Sequence, residues 1–306
     1  MFNFRCIQKL LQYLKTFVFL LIENAFCIFS RRKKSFIGEI VLITGSANGI
    51  GRQVALKLAP LGVTLVLWDI DDDGNKETSR LAQQNGASQV FVYHCDCSSR
   101  EDVYEQADKV RKEVGDVTIL INNAGILIGK KFCELTDEDF EKTFRINFFA
   151  QVWTCKAFLP AMVACNRGHL VSTASGAGIL GLYRMSDYSA SKSALIGMME
   201  AINSELYHGG KHGIKTTIIC PYFISSRLSK GFKSAKPCLF PVYDPEYAAS
   251  RIVNAIKKEK FYLIMPPAVY ILGLKIFIPR KVMLFLESYI KFPESMEEAF
   301  GQKKKD

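Results

Sequence analysis

Along most of the chain, short runs of β-branched and apolar residues alternate with longer stretches whose apolar positions recur at helical spacing, which is the pattern of parallel βαβ units. The runs predict strands over 39–44, 63–68, 89–94, 117–122, 168–173, 215–220 and 260–265. The periodicity between them predicts helices over 49–60, 72–85, 100–114, 136–164, 186–208 and 245–258. Strands this uniformly apolar are covered on both faces. The expected fold class is therefore α/β, a doubly wound parallel sheet of seven strands, with 37–265 as the main domain.

Two flanks depart from that pattern. In residues 1–36, Leu10–Ser30 is rich in Leu, Phe and Ile, yet Lys15 and Glu23 cut it into charge-free runs of seven residues at most, Thr16–Ile22 and Asn24–Ser30. A spanning helix takes about 18 apolar residues or more. Arg5, Lys9 and Lys15 stand on the N-terminal side of the charge-free runs and Arg31–Lys34 follow them, so the positive-inside rule sets no orientation. A shallow hairpin or an interfacial helix with snorkelling lysines fits better than a simple span, and no small-residue site for leader cleavage follows. Residues 266–306 open on Pro266-Pro267 and continue rich in Phe, Leu and Ile, broken by Lys275, Arg280 and Lys281. That mixture suits a membrane-surface helix or the rim of an apolar pocket; packing against the domain is the alternative. The closing Lys303-Lys304-Lys305-Asp306 fits either a dilysine endoplasmic-reticulum retrieval signal or a solvated basic tail.

Forty Lys+Arg against thirty Asp+Glu give a net charge of +10, which by itself admits a nucleic-acid or membrane partner. Its distribution decides. Residues 1–34 carry +6, residues 227–306 carry +7, and the stretch between them carries −3. The excess belongs to the apolar flanks, so a membrane or lipid-droplet surface is expected and nucleic acid is not. Nine cysteines without a C-x-x-C pair, and no N-x-S/T sequon, point to reduced thiols facing the cytosol. Cys95 and Cys97 lie at strand spacing, and the four histidines form no ligand cluster, so no metal is expected.

The chemistry sits in the acidic middle. Thr44-Gly45-Ser46-Ala47-Asn48-Gly49-Ile50-Gly51 follows the first strand and opens a helix. Glycines there permit a tight turn, so that a pyrophosphate can sit on the amides of the helix N-terminus. Gly45, Ser46, Asn48, Gly49, Ile50 and Gly51 are the candidate contacts. Asp69 ends the second strand 18 residues after Gly51, where a carboxylate accepts the hydrogen bonds of an adenosine ribose diol. It also repels a 2′-phosphate, as do Asp71, Asp72 and Asp73, and Arg52 is the only cation nearby. NAD is expected over NADP.

Tyr188 and Lys192 stand four residues apart in a predicted helix, so their side chains reach the same point. Moving a phenol from a pKa of ~10 to ~7 takes about 4 kcal/mol of preferential phenolate stabilisation, which an ammonium and a cationic nicotinamide can supply in a water-poor site. Ser175 lies 13 residues before Tyr188, at the C-terminal end of a parallel strand, where open sheets place ligands. Its hydroxyl can hold a substrate oxygen.

The spacing T-G-x-x-x-G-x-G, then Asn122-Asn123-Ala124-Gly125, Ser175 and Tyr188-Ser189-Ala190-Ser191-Lys192, resembles the short-chain dehydrogenase/reductase family over roughly 37–265. The resemblance implies a Rossmann-type NAD-binding catalytic domain and a catalytic set of Asn147, Ser175, Tyr188 and Lys192. Within that set Asn147 supports a water linked to the lysine, and Lys192 also holds the nicotinamide ribose. It further implies cofactor contacts from Asp96, Asn123, Ile224 and Ser226. Where the family reads P-G-x-V-x-T, this chain has Pro221-Tyr222-Phe223-Ile224-Ser225-Ser226. The hydroxyl for the carboxamide survives at Ser226, while Tyr222 in place of glycine leaves the path of the loop open.

Strings such as Val66-Leu67-Trp68-Asp69-Ile70, Gly129-Lys130-Lys131-Phe132 and Lys156-Ala157-Phe158-Leu159-Pro160-Ala161-Met162 resemble the family's membrane-associated branch of retinol and 17-beta-hydroxysteroid dehydrogenases. That branch implies oxidation of retinol or another lipid alcohol with NAD on endoplasmic-reticulum or lipid-droplet membranes, with the catalytic domain facing the cytosol. Steroid oxidoreduction is the alternative, a non-catalytic lipid-droplet scaffold is a third reading, and a homodimer stays open. Phe223, Phe232, Leu239, Phe240 and Tyr243 are expected to line an elongated apolar pocket, although core packing uses the same residue types.

Overall fold

A computed structural model of the chain describes residues 12, 14–19 and 34–301. Residues 14–19 are helical, with Leu14, Phe17, Val18 and Phe19 exposed; the rest of the expected N-terminal hairpin or interfacial segment, and the terminal lysines, lie outside the described residues. Residues 36–301 belong to a single compact unit.

Seven strands form one all-parallel sheet: β1 Ile40–Thr44, β2 Thr64–Asp69, β3 Gln89–His94, β4 Ile119–Asn122, β5 Gly168–Thr173, β6 Ile214–Pro221 and β7 Tyr262–Met265. Their order is β3-β2-β1-β4-β5-β6-β7, so the chain reverses direction across the sheet between β1 and β4. Ligands of open α/β sheets bind at such a switch point, beyond the carboxyl ends of the strands. The central strands are apolar along their length because helices cover both faces. Val41, Ile43, Leu65 and Leu67 pack under one layer, and Leu42, Val66, Trp68 and Leu120 under the other. The doubly wound fold expected from the alternating pattern is the one observed.

The helices are α1 Gly49–Leu58, α2 Asp72–Gln84, α3 Arg100–Glu113, α4 Asp137–Phe144, α5 Ala150–Cys165, α6 Gly176–Ile179, α7 Ser186–His208, α8 Pro245–Lys257, α9 Val269–Leu272, α10 Arg280–Tyr289 and α11 Phe292–Met296. The single helix expected over 136–164 is interrupted. Arg145–Phe149 forms a π-helical turn between α4 and α5, and it carries Asn147 into the interior. Among the described residues this run, Asp137–Cys165, is the one helix long and apolar enough to cross a membrane. Its inner face is occupied by the core: Thr154 hydrogen-bonds Asn122, and Gln151 accepts from Ser172.

The C-terminal segment, expected as an extension from 266, joins the packing of the domain. Phe292 and Met296 are buried in a cluster with Tyr188, Phe223 and Phe232. By contrast α10 and the turn before it leave several large apolar side chains in solvent.

Candidate active site

A cavity of about 300 Å³ opens at the carboxyl edge of the sheet. Residues from the β1–α1 turn, from the ends of β2, β3, β4 and β5, from the start of α7 and from the loop after β6 all meet in it. Twelve of the fifteen residues singled out in the sequence line it: Gly45, Asn48, Gly49, Ile50, Asp69, Asp96, Asn123, Ser175, Tyr188, Lys192, Ile224 and Ser226.

The turn is built for close approach. Gly45 has φ +68°, and a side chain there would meet the Ala124 backbone at 2.9 Å. A Cβ on Gly51 would lie 2.1 Å from the Gly45 carbonyl oxygen, so α1 can start this close to the strand only with glycine at that position. Asn123 fastens β4 to the same turn: its Nδ2 donates to the carbonyls of Thr44 and Gly45, both at 3.1 Å. Asp69 is half-buried, its Oδ2 accepting the Ala47 N–H at 2.8 Å and its Oδ1 the Asp71 N–H at 3.0 Å. The carboxylate is thus held facing the cavity. Arg52, the one cation expected nearby, is occupied: its guanidinium donates to Thr78 Oγ1 at 2.9 Å and to the carbonyls of Gly74 and Ala47. Arg227 lies 3.7 Å from Asp71 and is highly exposed; it follows a strand remote in sequence, and no local motif marks it.

Three expected residues sit outside the cavity wall. Ser46 is fully buried, its hydroxyl bonded to Asn75 Oδ1 at 2.8 Å and the Trp68 carbonyl at 3.2 Å. Gly51 is a spacer behind the turn. Asn147 is buried behind the wall: its amide donates to the Ile126 carbonyl at 3.0 Å and to Ser191 Oγ at 3.2 Å, while its Oδ1 accepts the Ile126 N–H at 2.8 Å. Its Oδ1 and the Lys192 Nζ approach the same point over Gly125, at 3.2 and 3.5 Å from where a Cβ would stand. The π turn is what brings the amide this far inward.

Ser175 caps α6, its Oγ accepting the Ala177 N–H at 3.1 Å. Tyr188 and Lys192 project from α7, with the Lys192 Nζ 5.6 Å from the centre of the Tyr188 ring and donating to the Thr173 carbonyl at 2.8 Å. Both are buried, and burial acts on them in opposite directions. It pushes the Tyr188 phenol up to about 12, against a lowering by the Ser175 hydroxyl. It brings the Lys192 ammonium down to about 8, because a charge loses its hydration there.

The lowered lysine has a consequence for stability. Between the folded value of about 8 and the ordinary 10.5, the unfolded chain binds more protons than the folded one, so stability rises with pH across that window. Below it the cost of the buried charge is present in full. Relative to Lys192→Met, the wild-type protein is therefore expected to gain about 3 kcal/mol as the pH is raised from 8 to 10.5. Denaturant titrations of both proteins across that range check this, and a constant difference would refute it.

The aromatic wall differs from expectation. Of the five residues proposed for the pocket, only Phe223 lines it. Phe232 stacks behind Phe223 with centroids 3.5 Å apart, Phe240 packs on Tyr222, and Leu239 is exposed. Tyr243 pairs with Ile224 in a bridge and stacks on Tyr247. The apolar lining comes instead from Leu127, Leu182, Met185, Tyr222 and Leu228. Two of these, Leu182 and Met185, flank a buried arginine that the sequence did not mark. Arg184 has φ +59° and donates to the Gly129 carbonyl at 2.8 Å, Glu297 at 2.9 Å and Glu134 at 3.2 Å. Lys131 and Tyr183 also bond Glu297, and with Arg184 they hold its carboxyl down to about 2.

Residues 39–237 match the short chain dehydrogenase family profile. Epidermal retinol dehydrogenase 2 of Homo sapiens is 47% identical to this chain, the match covering 99% of each. Estradiol 17-beta-dehydrogenase 11 of Macaca fascicularis is 40% identical over 85% of this chain and 86% of its own. Among solved structures, a short chain dehydrogenase/reductase from Burkholderia phymatum in complex with NAD superposes with a TM-score of 0.72 at 25% identity, covering 83% of this chain and 96% of that one. Fold, glycine turn, Tyr188–Lys192 pair and family profile agree: the chain is an oxidoreductase of the short-chain dehydrogenase/reductase family.

Proposed function

We propose that this protein oxidises all-trans-retinol to retinaldehyde with NAD at a membrane surface, using Tyr188, Ser175, Lys192 and Asn147. The observation that carries the reading is the buried Tyr188–Lys192 pair in a cavity whose other wall is apolar, in a chain whose relative named for retinol matches it from end to end. NAD fits the residues present. Gly45 and Gly49 bring bare backbone to the cavity wall, Asp69 faces the cavity as a diol acceptor, and the nearest guanidinium on the turn is already bonded to carbonyls. Asn48, Gly49, Asp96, Asn123, Ile224 and Ser226 would complete that contact. When bound, the oxidised nicotinamide supplies the hydride acceptor.

The remaining chemistry belongs to the chain. Ser175 donates a hydrogen bond to the alcohol oxygen and keeps it beside Tyr188. The Tyr188 oxygen accepts the hydroxyl proton as the carbinol carbon gives up its hydride, leaving the aldehyde. Lys192 supplies positive charge against the phenolate and donors toward the nicotinamide ribose, and Asn147 holds the Ile126 backbone and the proton path beside the lysine. A phenol held at about 12 is not a base near neutrality; bringing it to ~7 takes about 7 kcal/mol. That stabilisation has to come from cations inside the cavity, which ties proton removal to the oxidised state of the site.

Membrane fractions containing the full chain, offered retinol and estradiol side by side with NAD or NADP, are expected to form retinaldehyde with NAD as the fastest of the four reactions. A preference for estradiol would move the assignment to the steroid branch. The apolar N-terminal segment and the basic flanks support attachment to endoplasmic-reticulum or lipid-droplet membranes with the cavity on the cytosolic side.

A further inference from the structure

We propose that the outer face of residues 273–289 is a second lipid-contacting surface, which docks on anionic phospholipid beside the substrate wall of the cavity and admits the apolar alcohol from the membrane. Ile276 and Phe277 are each 84% exposed and Phe285 is 66% exposed, on one short stretch that also exposes Leu274, Val282 and Leu284. A cluster of this size in solvent marks an interaction site. Its charge selects the partner. Lys275, Arg280 and Lys281 are the cations of the segment, and its single carboxylate, Glu287, is mostly covered and 3.8 Å from Arg280, so the segment keeps a net positive charge. Apolar side chains interleaved with cations fit a phospholipid surface bearing negative headgroups.

The position of this face gives it a role beyond attachment. Just before it Val269 is buried against Gly176, and at its start Lys275 donates to the Ile179 carbonyl; both contacts are on α6, the helix that Ser175 caps. Just after it, Phe292 and Met296 enter the cluster that contains Tyr188 and Phe223. The exposed stretch is therefore pinned at both ends to the wall of the substrate cavity. A lipid seated on it lies next to that wall, so an insoluble alcohol reaches the site without crossing water. The second half of the proposal rests on the lipid-alcohol reading of the site, whereas the contact itself does not.

The test uses the full chain reconstituted on phosphatidylcholine vesicles, with and without about one-fifth phosphatidylserine, carrying a phospholipid with a photoactivatable diazirine in its acyl tail. Mass spectrometry is expected to find the label in peptides spanning 274–289 as well as in residues 1–34, more strongly with phosphatidylserine. Label confined to residues 1–34, or a concentration-dependent dimer that shields 274–289 instead, overturns the proposal. Phe277→Ser combined with Phe285→Ser, both at exposed positions, is expected to lower labelling of 274–289 by about tenfold or more. The same variant should raise the KM for vesicle-borne retinol severalfold while leaving the KM for NAD unchanged. Labelling without any retinol turnover would remove the substrate assignment and keep the lipid surface; an unchanged KM with lost labelling would remove the entry route.

Discussion

Tyr188→Phe is expected to lower kcat for retinol oxidation by about 10³-fold or more, in the upper part of the range for removing a general base. The substitution deletes one hydroxyl from a side chain whose ring is packed among Ala177, Met185 and Phe223. The ring stays, so the fold and the glycine turn stay. The hydroxyl faces the Ser175 side chain, and losing one neutral hydrogen bond of this kind changes stability by about 1 kcal/mol. Affinity for NAD, measured by calorimetry on the same preparation, should hold within about threefold because general-base loss acts on the transition state rather than on ground-state binding. Wild-type turnover by the variant would remove Tyr188 from the reaction.

Gly51→Ala is expected to abolish measurable NAD binding by a route that involves no catalytic group. The added methyl would stand 2.1 Å from the Gly45 carbonyl oxygen and 2.8 Å from Asn123 Nδ2, both parts of the turn itself. Neither can retreat cheaply. Gly45 is packed against the Ala124 backbone and Asn123 is held by two carbonyls, so α1 has to move away from β1. Overpacking of this kind costs about 1–3 kcal/mol of stability, and the displaced amides no longer converge on a pyrophosphate. Gly197→Ala is the matched control, since a Cβ there meets nothing within 4 Å on the exposed side of α7. It should leave NAD binding intact and stabilise the protein by about 0.5–1 kcal/mol. Thermal melts and NAD titrations of both variants separate the two effects, and a Gly51→Ala protein that binds NAD normally would show that the turn has slack.

Strand positions were legible because two-sided burial leaves an unbroken apolar run, and every predicted strand begins and ends within two residues of the observed one. The cavity floor was legible because its residues cluster in short motifs at strand ends, so that Asp69, Asn123, Ser175, Tyr188 and Lys192 could be placed from spacing and resemblance. What escaped depends on contacts between distant segments. The π turn around Asn147 is a matter of backbone hydrogen bonding that no local motif announces, and the contact its asparagine makes is with Ile126, a distant segment. Phe232 and Leu239 have the composition of a pocket wall, yet three-dimensional packing sends one behind Phe223 and the other into solvent. Ser46 occupies a motif position, but its hydroxyl is taken by Asn75. Arg184 carries no motif; its importance appears only when Glu297, more than a hundred residues later, arrives beside it.

That late arrival orders events during synthesis. The Arg184–Glu297 contact and the burial of Phe292 and Met296 use residues that are synthesised after all seven strands of the sheet. Until then the strands and helices before them are free to assemble, but Phe223, Phe232 and the wall around Tyr188 have no cover. All residues of the glycine turn and its supporting strands thus precede in sequence those that close the greasy half of the cavity.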